Sequence, residues 1–147
     1  MKKIVIVMIL SLLTFSSIAY GEEQTVDSDI VEMIEVEVEL TNERIEDYID
    51  LHIGYSEYVI ASYNEEIDFI NEHYSNDMKQ SMIHIATEKK DYLIDQIIDS
   101  LIKVTNAEAE RMFKRAESVG VTVVCEYTVV IIDNKEVLID PIRVVGG

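Results

Sequence analysis

Apolar residues recur at helical spacing along the middle of the chain, and this periodicity constrains the fold more than any other feature. Over residues 49–74 they follow a heptad, whose two core positions are Ile53, Ile60, Ile67, Tyr74 and Ile49, Ser56, Tyr63, Ile70. A second apolar stretch with helical spacing covers residues 82–104, after the turn-forming residues 75–77. Because the connection is so short, the pattern predicts two long antiparallel helices in contact.

A different period precedes the first helix. Over residues 34–40, apolar and acidic side chains alternate, with one face formed by Ile34, Val36, Val38, Leu40 and the other by Glu35, Glu37, Glu39. This period of two predicts a short half-buried strand, after which Thr41 or Asn42 caps the helix. Because glutamate is a good helix former, a helix that includes residues 34–40 is the alternative.

The end of the second helix also has two interpretations. Thr105 and Asn106 either cap a third helix over residues 107–119 or lie within a second helix that simply continues. Gly120 ends the helix in both cases, because glycine is the residue that most easily takes the left-handed conformation found after helix ends.

The last part of the chain contains two runs rich in β-branched residues, 121–132 and 137–145. Four turn-forming or polar residues separate the runs, so the pattern predicts a β-hairpin. If Asn134 and Lys135 form its two-residue loop, Ile132 lies opposite Val137.

The same count places Glu126 opposite Arg143, which predicts a cross-strand pair of opposite charge. Pro141 has no backbone N–H to donate, so the final strand should lie at an edge or contain a bulge at this position.

These elements predict an α+β fold: a short N-terminal strand, a long α-helical hairpin, with a third helix as an alternative, and a C-terminal β-hairpin packed on the helices. We expect residues 30–147 to form one domain, because no linker rich in proline, glycine or serine divides them. Cys125 is the only cysteine, so no internal disulfide can form. Its position in a β-branched run predicts a small buried side chain.

The first 21 residues have the three parts of an export signal: Lys2 and Lys3, an apolar run over residues 4–15, and a small-residue stretch. We expect cleavage after Gly21, or at the similar site after Ala19, and a flexible acidic lead over residues 22–29. The protein should then be secreted or extracytoplasmic, without stable membrane insertion. An uncleaved signal that anchors it is the alternative, but the apolar run is shorter than the roughly 20 residues a bilayer requires.

Acidic residues are concentrated in the first half of the chain. Residues 22–78 contain 18 of them against a single base, Arg44. Removal of Lys2 and Lys3 with the signal changes the net charge from −17 to −19. Such a surface repels nucleic acid and anionic lipid, whereas it permits a cationic partner.

Motifs that support catalysis or metal binding are missing from the sequence. His52, His73 and His84 show no recognised metal-ligand spacing. No nucleophile elbow and no glycine-rich phosphate loop occurs. We therefore predict no catalytic, metal or cofactor-binding residues, and a protein that is not an enzyme.

Acids and tyrosines together suggest a partner surface, because a tyrosine ring packs against a partner while its hydroxyl stays in water. Its predicted residues are Glu35, Glu37, Glu39, Tyr48, Tyr55 and Tyr58. We expect a non-catalytic module that binds a cationic protein or peptide. The alternative is a self-assembling structural protein of the envelope, a homo-oligomer through the first long helix. A small hydrolase or a metal-binding protein is the third hypothesis.

Overall fold

The computed structural model of the protein describes residues 26–146. Two long helices, α1 (Ser28–His73) and α2 (Asn76–Glu117), precede four short strands: β1 (Thr122–Cys125), β2 (Thr128–Ile132), β3 (Lys135–Ile139) and β4 (Ile142–Gly146). The α+β class, the helical hairpin and the C-terminal β-hairpin are thereby confirmed. The predicted signal peptide, residues 1–21, lies outside the described residues, as do residues 22–25. Within the described part, no helix is both long and apolar enough to cross a bilayer.

The helix α1 begins earlier than the sequence predicts. Asp27 is its N-cap, and the Asp27 carboxylate accepts a hydrogen bond of 3.1 Å from the backbone N–H of Asp29. Ser28 and Asp29, at the end of the predicted flexible lead, are therefore helical. Val26, just before the cap, is half-buried against the apolar core.

The strand predicted over residues 34–40 is wrong, because these residues lie inside α1. Ile34 and Val38, one helical turn apart, are buried, whereas Val36 and Leu40 are 53% and 49% exposed. The buried stripe continues at Thr41, so the spacing is that of one helical face. A helix also satisfies its own backbone hydrogen bonds, whereas a strand here would need a partner.

The predicted heptad seam of α1 faces α2. Ser56 and Ile70 are buried along it, and the Tyr63 hydroxyl forms a hydrogen bond of 3.1 Å with Thr87 Oγ1 on α2. The two helices therefore pack through the face that the sequence predicts.

The second helix continues without a break to Glu117, which confirms the interpretation that it continues and excludes a separate third helix over residues 107–119. Thr105 does not cap a new helix: its buried hydroxyl donates to the carbonyl of Leu101, one turn earlier, at 2.9 Å. Gly120 follows the helix end with φ of +78°, as predicted.

The strands form one hairpin that is interrupted in the middle. Antiparallel pairs β1–β4 and β2–β3 make two two-stranded sheets. Glu126 N–H donates to the Pro141 carbonyl at 2.8 Å between them. The ladder is thus interrupted at the proline for which the sequence predicts an edge or a bulge.

The predicted loop of the hairpin is wrong by one residue. Ile132 lies opposite Lys135, so Asp133 and Asn134 form the two-residue loop, with φ of 47° and 63°. Asp and Asn tolerate positive φ better than lysine does, which explains why the loop excludes Lys135. Val137 consequently lies opposite Val130 and not opposite Ile132.

The apolar core consists of two clusters along the helix pair. The first joins the beginning of α1, the end of α2, and strands β1 and β4: Ile34, Val38, Ala109, Met112, Ala116, Val121, Val123 and Ile142. The second joins the middle of both helices to β2 and β3: Ile45, Ile94, Leu101, Val130, Ile132, Val137 and Ile139. Lys90 Nζ donates to Asp133 at 2.7 Å and so fixes the hairpin loop to α2.

Candidate functional site

A groove of about 530 Å³ runs between α1 and β4, and we call it the acidic groove. Its lining contains the apolar side chains Val38, Ile142 and Val144 and four acidic side chains of α1: Glu35, Glu39, Glu43 and Glu46. These glutamates are spaced by four, four and three residues, which places them on one side of the helix.

Asn42 holds the two sides of the acidic groove together. Its Nδ2 donates to the Ile142 carbonyl at 2.8 Å, and its Oδ1 accepts from the Ile142 N–H at 2.9 Å. The backbone N–H and C=O of Ile142 are therefore both hydrogen-bonded to the Asn42 side chain. The helix and the strand therefore meet at a fixed point of the groove.

The acidic groove is lined by more negative than positive side chains, four glutamates and one arginine. None of the four glutamates forms an ion pair with another residue of the range 26–146. Like charges one helical turn apart destabilise a helix by about 0.2–0.5 kcal/mol per pair. A cation bound in the groove would relieve this repulsion.

Arg143 also lines the acidic groove, but its charge is engaged elsewhere. Its Nε contacts Glu126 Oε1 at 2.5 Å. The predicted cross-strand partners thus form an ion pair, although they are not directly opposite, because Arg143 pairs with Val124 in the ladder. The ion pair is a diagonal one.

The acidic residues predicted as a partner surface separate into two groups. Glu35 and Glu39 line the acidic groove, whereas the Glu37 carboxylate contacts Arg115 Nε of α2 at 3.1 Å. Sequence reasoning missed Glu43 and Glu46, because it placed the helix start between them and Glu39. The spacing of four residues from Glu39 to Glu43, which places both on one side of a helix, is the signal that could have identified Glu43.

The tyrosines predicted for the same surface do not reach the acidic groove. Tyr48 packs against the second cluster, while Tyr55 and Tyr58 are 55% and 74% exposed. Tyr55 follows Glu39 by 16 residues, which is about 24 Å along a helix. Tyrosines and glutamates therefore do not form one surface.

A second, smaller groove of about 290 Å³ lies between α1 and α2 and contains arginines. Glu108 accepts from Arg44 at 3.3 Å and from Arg111 at 2.8 Å, and Arg115 is paired with Glu37. Carboxylates thus accompany each of these arginines. We regard this groove as a helix-to-helix contact.

The three histidines have separate partners. Buried His52 donates from Nδ1 to the Tyr48 carbonyl at 2.6 Å, and its Nε2 lies 3.3 Å from Ser100 Oγ. His73 stacks on Phe69, and His84 lies 3.4 Å from Glu88. Across residues 26–146, no three His, Cys, Asp or Glu side chains are grouped to hold a metal ion.

Cys125 is half-buried near Asp140. Burial raises the pKa of the Cys125 thiol, and the charge of Asp140 raises it further. Because the thiolate is the nucleophilic form, this environment makes the thiol less reactive.

Comparison of the chain with protein-family models, with curated proteins and with solved structures gives no match.

Proposed function

We propose that the protein is a small exported binding module, without catalytic activity, that holds a cationic segment of a protein or peptide in the acidic groove. One observation carries the proposal: the four glutamates of the groove have no cationic partner among the described residues. The export part rests on the sequence of residues 1–21 alone.

The composition of the groove supports this choice of partner. Lysine and arginine pack their methylene groups on apolar surface while their charged ends remain solvated. Val144, which is half-buried, offers that apolar surface next to the glutamates.

Calorimetric titration of the purified protein with a lysine-rich peptide tests the proposal. We expect affinity to fall as NaCl rises from 50 to 300 mM, because salt screens exposed charges. The variant Glu35→Gln/Glu39→Gln/Glu43→Gln/Glu46→Gln should bind about tenfold more weakly or worse, since each exposed pair contributes roughly 0.2–1 kcal/mol.

A matched control changes net charge equally without touching the groove. Asp50→Asn/Glu65→Gln/Asp68→Asn/Glu72→Gln removes four exposed charges elsewhere on α1. Its affinity should stay within about threefold of the unaltered protein. Equal losses in both variants would mean that only overall charge matters, and the groove would have no binding role.

Self-assembly through α1 is the second candidate function, and exposed apolar residues favour it. Leu51, Tyr55 and Tyr58 lie on one helical face and are 49%, 55% and 74% exposed. Analytical ultracentrifugation should then detect dimers at high protein concentration, and Tyr55→Glu/Tyr58→Glu should abolish them. A monomer at every concentration would eliminate this candidate.

A further inference from the structure

The outer edge of β4 borders the acidic groove and is not paired with another strand. β4 belongs to a two-stranded sheet, so β1 occupies only one of its edges. At the other edge Asn42 satisfies the backbone of Ile142. Backbone groups of alternate residues point to the same edge of a strand, so those of Val144 point to this side as well. Among the described residues none is recorded as a partner for them there.

The spacing of the glutamates fits an extended ligand. Glu35, Glu39 and Glu43 follow one another at four-residue intervals, which is about 6 Å per step along a helix. Alternate side chains of a strand are about 6.6–6.8 Å apart. An extended segment with a basic residue at every second position therefore matches the row of carboxylates step for step.

We propose that the cationic segment binds as an added β-strand, with its backbone paired to Val144 and its alternate lysines or arginines directed at Glu35, Glu39 and Glu43. This inference rests on the proposed function and specifies the partner's conformation and sequence pattern. Strand addition supplies affinity through main-chain hydrogen bonds, while the alternating side chains supply specificity.

Peptides that differ only in backbone N–H groups test the inference on the unaltered protein. The probe is an amidated hexapeptide, Lys-Val-Lys-Val-Lys-Val. One derivative carries N-methyl groups on its valines and another on its lysines, so that each possible edge of the strand is blocked in turn. We expect at least one derivative to bind about tenfold more weakly than the probe.

Variants of Val144 test the same contact from the protein side. Val144→Pro removes an N–H that points away from β1, so the β1–β4 ladder should persist, and it should weaken binding of the probe about tenfold. Val144→Ala keeps the N–H and should stay within about threefold. If circular dichroism shows that Val144→Pro does not fold, the methylated peptides alone test whether the segment binds as an added strand.

The outcomes separate this inference from the proposed function. Salt-dependent binding of all three peptides with equal affinity would overturn strand addition and leave the binding of cationic segments intact. No binding of any peptide would overturn both. Selective loss with a methylated peptide, together with loss in Val144→Pro where that variant folds, would support both.

Discussion

Gly120, just after the end of α2, has a backbone conformation, φ +78°, that residues with a side chain rarely adopt. A Cβ there would lie 3.4 Å from Val26 Cγ2, which is an ordinary contact, so backbone strain is the main cost of a substitution. We expect Gly120→Ala to lower the free energy of unfolding by about 1–2 kcal/mol.

Gly54 provides the opposite case. It lies in the middle of α1, and a Cβ there would meet nothing within 4 Å. Gly54→Ala should therefore raise the free energy of unfolding by about 0.5–1 kcal/mol. Urea unfolding of both variants checks the pair, and shifts of the same sign would contradict this account of the two glycines.

Asp140 and Cys125 both lie near the interruption of the hairpin. Burial raises the pKa of the Asp140 carboxyl above its ordinary value. The folded state therefore holds the proton of the Asp140 carboxyl more tightly than the unfolded state does. The free energy of unfolding consequently falls as pH rises from the ordinary pKa through the raised one. Asp140→Asn should remove this contribution to the pH dependence of the unfolding free energy.

The same substitution should make the thiol more reactive. Because the negative charge of Asp140 raises the pKa of Cys125, Asp140→Asn should shift the pH–rate profile of alkylation by iodoacetamide to lower pH. Asp50→Asn, on the exposed side of α1, is the control and should leave the profile unchanged. Identical profiles for both variants would exclude an effect of Asp140 on the thiol.

Asn42 connects α1 to β4 through Ile142, which lies 100 residues further along the chain. Asn42→Ala removes both hydrogen bonds to Ile142 and leaves a partly buried N–H and C=O without partners. We expect the free energy of unfolding to fall by about 1–3 kcal/mol. Asn64→Ala, at an exposed position of α1, should change it by less than about 0.5 kcal/mol. Equal thermal midpoints for the two variants would mean that α1 and β4 are held together by other contacts.

Local patterns were sufficient to predict the two helices and the hairpin, because each has a long run with one clear period. They were not sufficient at residues 34–40, where a period of two and a helical pair four residues apart fit the same side chains. Contacts with the end of α2 determine that residues 34–40 are helical, since Met112 and Ala116 pack in the same cluster as Ile34. That contact is not encoded in the local sequence.

Only part of the acidic groove could be predicted for the same reason. Glu35 and Glu39 were identified by their charge, and they line the groove. The role of Asn42 depends on β4, which no local pattern brings to α1. The sequence therefore predicts Thr41 or Asn42 as a helix cap, whereas the Asn42 side chain binds the backbone of Ile142.

At the scale of the whole molecule, acidic charge opposes folding. Asp and Glu number 29 against 12 Lys and Arg, and the net charge is −17. Self-repulsion destabilises the compact state, and salt screens it. Raising NaCl from 20 to 500 mM at pH 7 should therefore raise the thermal midpoint, by roughly 3–6 °C if the gain is about 1 kcal/mol.

The salt effect should be smaller at pH 4.5, where many carboxylates are protonated and the repulsion is weaker. Differential scanning calorimetry at both pH values provides the measurement. A midpoint that falls with salt at pH 7 would show that the ion pairs, such as Lys90 with Asp133, outweigh the general repulsion.

The hydrogen bonds from Asn42 to Ile142 also determine when the acidic groove can form during synthesis. A ribosome that adds about 5–20 residues per second needs on the order of 5–20 s to travel the 100 residues between them. The helical hairpin can associate in that interval, but the glutamates of α1 cannot face β4 until β4 has been synthesised. The groove therefore forms later than the contact between the two helices, and a chain that stops before β4 would keep its helices and lack one side of the groove.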